Sequence, residues 1–159
     1  MKKITPQRLK NIALYYLERY DAGTVKLRGV LTRRIKKAQM EMPVPDEAFE
    51  WVEQVIEQMQ NLGYVNDTRY AENMVRRLSQ SGKSNTFIKN KLKTEGIPES
   101  TFETLFSDTD DLAQARLYVR KKRLGRDFQK DLAKLARAGF SYDIARQALN
   151  QPKSDEFFD

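Results

Sequence analysis

The sequence predicts an all-α protein built as three tandem three-helix repeats. Apolar residues recur at helical spacing along nearly the whole chain, and no segment shows a convincing period of two. Three segments stop on a glycine followed by an apolar residue: Gly63-Tyr64, Gly96-Ile97 and Gly139-Phe140. A pattern of one small residue, two large apolar residues and a base opens three stretches of similar make-up.

The elements follow in order. Thr5 offers a capping side chain and Pro6 suits the first helical position, so a first helix starts there with Ile12, Tyr15, Tyr16 and Leu17 on one stripe. Gly23 ends it. Thr24 is expected to cap a second helix that carries Leu27, Val30, Leu31 and Ile35. Pro43 and Pro45 break the chain, and a third helix follows with Phe49, Trp51, Val52, Val55, Ile56, Met59 and Leu62. At each glycine stop the apolar residue is expected to fold back on the last turn. New cap candidates come after each stop or break: Asn66 or Asp67, Ser84, Asp110, Asp127 and Ser141. Nine helices of roughly 9–18 residues result.

The repeats align through Ala13, Tyr16, Leu17 and Arg19, then Ala71, Met74, Val75 and Arg77, then Ala115, Tyr118, Val119 and Lys121. They set units at about 6–65, 66–108 and 109–150, with a tail at 151–159 that has no helical cap and is either disordered or packed back. The offsets, 58 and then 44 residues, differ, so this is not a regular solenoid.

Composition narrows the function. The 159 residues suit one ordinary domain or several small units, and 40% hydrophobic residues are enough to fold. The absence of Cys and His excludes disulfides, thiol nucleophiles, thiolate or imidazole metal sites and histidine acid–base chemistry. No run approaches the ~18 apolar residues of a membrane span, so a soluble cytoplasmic protein is expected. The net charge of +7 favours an anionic partner.

That charge is segregated. Residues 46–61 hold five acids and no base, and residues 96–115 hold five more acids and no base. Lys26, Arg28, Arg33, Arg34, Lys36 and Lys37 form one stretch without an acid, and Arg116, Arg120, Lys121, Lys122, Arg123 and Arg126 form another. Separation of this kind suits a binding surface.

Signals of catalysis fail on inspection. Ser81-Gly82-Lys83-Ser84 looks like the end of a phosphate-binding loop, but Arg77 stands where the leading glycine belongs and a helix precedes it. Gly82 reads better as a helix terminator and Ser84 as the next cap. Asp110 and Asp111 fit a helix N-terminus, where the macrodipole favours acids. Trp51 sits among aliphatics as a core residue, while Tyr20 and Tyr142, near helix boundaries, stay open as base-stacking candidates.

The segment Leu62-Gly63-Tyr64-Val65-Asn66-Asp67-Thr68-Arg69-Tyr70-Ala71 resembles the signature of the RecX family, bacterial modulators of the RecA recombinase. The likeness runs on through Val75-Arg76-Arg77, Gly82, Ile88, Leu92 and Gly96-Ile97. It reaches upstream to Leu27-Arg28 with Leu31, and downstream to Lys121-Lys122 and to Leu135 with Gly139-Phe140-Ser141-Tyr142. Lys26, Ser84 and Glu95 depart from the family pattern, standing where it has Glu, Gly and a base.

The resemblance implies an elongated, curved array of three-helix repeats. It implies a regulator that binds the RecA filament on single-stranded DNA. There it would inhibit recombinase, ATPase and co-protease activity, with possible direct contact to single- or double-stranded DNA. A monomer that is not an enzyme and needs no cofactor or metal is expected. Its contact candidates are Arg19, Arg28, Arg33, Arg34, Arg69, Arg76, Arg77, Arg120, Lys121 and Lys122. Arg69 has a structural alternative, a pairing with Asp67 or a neighbouring unit. Two other readings stay open from the residues: a helix-turn-helix DNA-binding protein acting without RecA, and an enzyme on nucleic acid that would need carboxylates around a divalent metal.

Overall fold

Nine helices and no strand make up residues 2–150, the part of the chain that the computed structural model describes. They are α1 Pro6–Leu17, α2 Thr24–Gln39, α3 Ala48–Asn61, α4 Asp67–Gln80, α5 Asn85–Thr94, α6 Glu99–Phe102, α7 Asp111–Lys122, α8 Phe128–Arg137 and α9 Tyr142–Leu149. The tail at 151–159 lies outside the described residues.

Most helices start where the sequence places them. Thr5 caps α1 by accepting from Arg8 N–H at 3.1 Å, with Pro6 opening the helix. Asn66, the first of the two alternatives, accepts from Arg69 N–H at 3.0 Å. Ser84 accepts from Phe87 N–H at 3.0 Å, and Asp110, Asp127 and Ser141 cap α7, α8 and α9.

Three expectations are corrected. Thr24 lies inside α2, and the cap position belongs to Gly23, which has no side chain to bond with. At Gly63 the residue that folds inward is Val65, 2% exposed, whereas Tyr64 is 52% exposed. The third helix of the middle repeat is a single turn: after Phe102 the chain runs through 3-residue closures, Leu105 N–H to Phe102 C=O and Thr109 N–H to Phe106 C=O. Thr101, Thr104, Ser107 and Thr109 crowd this stretch. Such side chains lose freedom in a helix or bond to nearby backbone instead, as Thr109 Oγ1 does to Phe106 C=O at 2.8 Å.

The described chain gathers into two compact units. The first holds the residues up to Ala71 together with Thr94–Thr101. Its core is Leu9 and Ala13 of α1, Leu27, Leu31 and Ile35 of α2, and Val52, Ile56 and Met59 of α3, all essentially dry. Tyr15 and Phe49, assigned to apolar stripes from sequence, are exposed instead, as is Leu62. The second unit holds Glu72–Lys93 and residues 102–150. There α7 and α8 pack against α9 around Ala115, Leu132, Leu135, Phe140, Ala145 and Ala148, and Tyr118 meets Phe140 edge-on at 5.9 Å.

One device recurs in both units. The first residue of a repeat's opening helix reaches back and caps the second helix of the repeat before it. Asp67 Oδ1 accepts from Thr24 N–H at 2.8 Å and its Oδ2 from Thr24 Oγ1 at 2.9 Å. Asp111 Oδ1 accepts from Asn85 N–H at 2.9 Å. Next to each capped residue, at Val25 and Ser84, lies the glycine stop that ends the following repeat's second helix. A Cβ on Gly96 would fall 2.7 Å from Val25, and one on Gly139 would fall 2.5 Å from Ser84 Oγ. Both glycines also have φ near +80° to +95°, so only glycine meets the two demands together. The two carboxylates recur 44 residues apart and the two glycines 43 apart, each meeting the start of the preceding repeat's second helix, as tandem three-helix repeats require.

Candidate functional site

The basic residues divide into those held by the fold and those left to solvent. Arg28 of α2 is held: its Nε and Nη2 donate to the two carboxylate oxygens of Glu53 on α3, at 2.6 and 3.1 Å. That pair of bonds pulls the Glu53 carboxyl below its ordinary pKa and raises Arg28 above its own. Arg19 donates to Tyr15 C=O at 3.0 Å and lies 3.6 Å over the Tyr15 ring. Arg69 donates to Gly63 C=O at 3.0 Å, tying α4 to the stop of α3. Lys121 donates to Ser81 C=O at 3.0 Å and closes the C-terminal turn of α4.

Several other bases lie exposed on helix surfaces. On α2 the buried residues Thr24, Leu27, Leu31, Ile35 and Ala38 share one face. Helical spacing then puts Lys26, Arg33 and Lys37 in line on the opposite face with Lys36 beside them, all exposed. Lys26 reaches Glu95 at 3.7 Å. Among the described residues, no ion pair or hydrogen bond engages the side chains of Arg33, Lys36 or Lys37. Gly29 sits on this same face, and a Cβ there would meet nothing within 4 Å. Neither packing nor a turn asks for glycine at that point, and the result is bare helix backbone between Lys26 and Arg33.

Arg33 and Arg34, neighbours in sequence, serve different surfaces. Arg34 turns to the flank of α2 and lines a cleft beside α1 with Lys2, Lys3 and Arg8. On α4 the buried Tyr70, Ala71, Met74 and Val75 define the inner face, which leaves Arg69 and Arg76 on the outer one; Arg76 donates to Asn73 at 2.6 Å. Arg77 is exposed at its edge. Arg120, Lys121 and Lys122 close α7, and since successive residues on a helix point about 100° apart they do not share a face. Arg120 lines a small cleft with Asp108 and Asp110, while Lys122 lies 6.0 Å from the Tyr118 ring.

Sequence reasoning missed the α1 cleft because Tyr15 was grouped with Ile12, Tyr16 and Leu17. The signal was present: Leu9, Ala13 and Tyr16 recur at four and three, and Tyr15 falls outside that line. Among the described residues no cluster of three carboxylates is placed to hold a metal ion, and no helix is long and apolar enough to cross a membrane.

The family model for RecX, second three-helix domain, matches residues 66–104. A regulatory protein RecX of Myxococcus xanthus is 35% identical over 164 residues, spanning 94% of this chain and 88% of the relative. The chain belongs to the RecX family. Another regulatory protein RecX, of Agrobacterium fabrum, is 27% identical over 149 residues, or 88% of this chain and 80% of that one. The crystal structure of RecX from Lactobacillus salivarius matches with a TM-score of 0.67 at 22% identity, covering 91% of this chain and 94% of that one, which confirms the all-α RecX fold. Within the stretch matched by the RecX domain model lie both residues that clasp α2, Asp67 and Gly96.

Proposed function

We propose that this chain regulates the RecA recombinase by binding its filament on single-stranded DNA, and that it thereby lowers recombinase, ATPase and co-protease activity without itself being an enzyme. It acts in the cytoplasm as a monomer and needs no cofactor. The observation that supports this reading best, beside membership of a regulatory family, is the outer face of α2. Arg33, Lys36 and Lys37 stand there unengaged around the bare backbone at Gly29. Cations held by their own carboxylates contribute little to a partner, whereas unengaged ones attract phosphate or acidic protein surface at full strength. Several such faces in one chain add through effective concentration, so that no single residue need dominate.

The test adds the protein to RecA on single-stranded DNA and follows ATP hydrolysis. Inhibition at equimolar or lower protein is expected, falling as salt rises, with a R33A/K37A variant weaker at low salt and less sensitive to added salt. Full RecA activity at equimolar protein and low salt would sink the proposal.

A further inference from the structure

We propose that the cleft between α1 and the flank of α2 binds a short segment of single-stranded nucleic acid, with one base stacked on Tyr15. The cleft measures about 550 Å³. Its cations are Lys2, Lys3, Arg8 and Arg34, and no carboxylate lines it. Tyr15 lines it too and is 62% exposed, although a ring that large gains nothing from facing water.

The ring is also held in place. Arg19 lies against one of its faces at 3.6 Å and is itself fixed by its bond to Tyr15 C=O. The opposite face remains for a ligand. Gln7 Nε2 donates to Asn11 Oδ1 at 2.9 Å, which leaves the Asn11 amide as a donor and the Gln7 carbonyl as an acceptor on the same cleft wall. A base edge needs such a pair. Phosphate needs the cations. An aromatic platform, an amide pair and cations free of acids together describe a base with its phosphates, since every base has a π-face to stack. An acidic peptide would match only the cations.

The experiment needs no RecA, so its failure and that of the proposed regulation are separable. Fluorescence anisotropy would follow a labelled oligothymidylate and an abasic deoxyribose-phosphate oligomer of equal length binding to the full chain at low salt. Y15A should weaken oligothymidylate binding roughly tenfold and leave abasic binding unchanged, while Y15F stays within about twofold of the parent. R34Q should weaken both ligands and lower the salt slope by about one. Circular dichroism melting should be the same for all of them, because Tyr15 and Arg34 are exposed. Equal losses with Y15A on both oligomers, no loss at all, a Y15F as weak as Y15A, or displacement by oligoglutamate of equal charge would each overturn the proposal.

Discussion

The two clasps between repeats solve one problem with different chemistry. At α2 the carboxylate of Asp67 takes both donors of Thr24, and Gly96 leaves no room for a Cβ against the branched, apolar Val25. At α5 the carboxylate of Asp111 takes one donor, and the glycine presses on a hydroxyl. That hydroxyl, Ser84 Oγ, is fully buried, accepts from Phe87 N–H and donates to Ala138 C=O at 2.7 Å. Gln114, also buried, completes the set by donating to Lys83 C=O at 2.6 Å and to Asn85 Oδ1 at 3.0 Å. The first clasp therefore relies on shape and a two-point carboxylate, the second on a polar network. A buried network of this sort is strong when complete and costly when one member is lost.

Substitutions at the glycines should show that difference most sharply. G96A puts a methyl group on Val25 and forces a left-handed φ, so a loss of about 3 kcal/mol in denaturant unfolding is expected. G139A should cost about 2 kcal/mol, and part of it should return when Ser84→Ala removes the oxygen it strikes. An additive G139A/S84A pair would show that the hydroxyl is not what the glycine accommodates.

The carboxylates come next. Asp67→Ala strands two donors and should cost about 2 kcal/mol, whereas Asp111→Ala strands one and should cost about 1 kcal/mol. Equal losses in chemical denaturation would erase the distinction between the clasps.

The helix α8 offers a third case, closed from within its own repeat. Asp127 accepts from Lys130 N–H at 3.2 Å, and Asp131 Oδ2 accepts from Gly125 N–H at 2.7 Å. The bond from Gly125, helped by Lys134, holds the Asp131 carboxyl below its ordinary 3.8. A pKa lowered by folding stabilises the protein fully above the ordinary value, and the benefit disappears as pH falls through the lowered one. Thermal melts between pH 5 and pH 2 should therefore lose a step of acid destabilisation in Asp131→Asn, at a cost on the order of 1.5 kcal/mol near pH 7.

The smallest expected effect is a gain. Gly29→Ala lengthens no contact and relieves a poor helix former, so α2 should be stabilised by roughly 0.5–1 kcal/mol. Weaker inhibition of RecA by this more stable variant would mark the bare backbone as functional; unchanged inhibition would make Gly29 neutral.

Much of the fold was legible because its signals are local. Apolar spacing, Thr5-Pro6, and the caps Ser84, Asp110, Asp127 and Ser141 all act within four residues of where they stand, so the chain declares them directly. The candidate surface was legible only as composition. Runs of bases show where charge is abundant, but Arg28 is spoken for by Glu53, 25 residues away, and Arg34 turns from the face that Arg33 occupies.

What the amino-acid order determined alone was the class, most of the helix starts and the family, through the stretch from Leu62 to Ala71. What tertiary structure decided was who caps α2, since Asp67 lies 43 residues from Thr24. It also decided why Gly96 and Gly139 must lack a side chain, and which cations are free. Helix signals depend on neighbours in the chain, whereas a carboxylate's partner, a glycine's crowding and an arginine's freedom depend on distances that exist only once the repeats are packed.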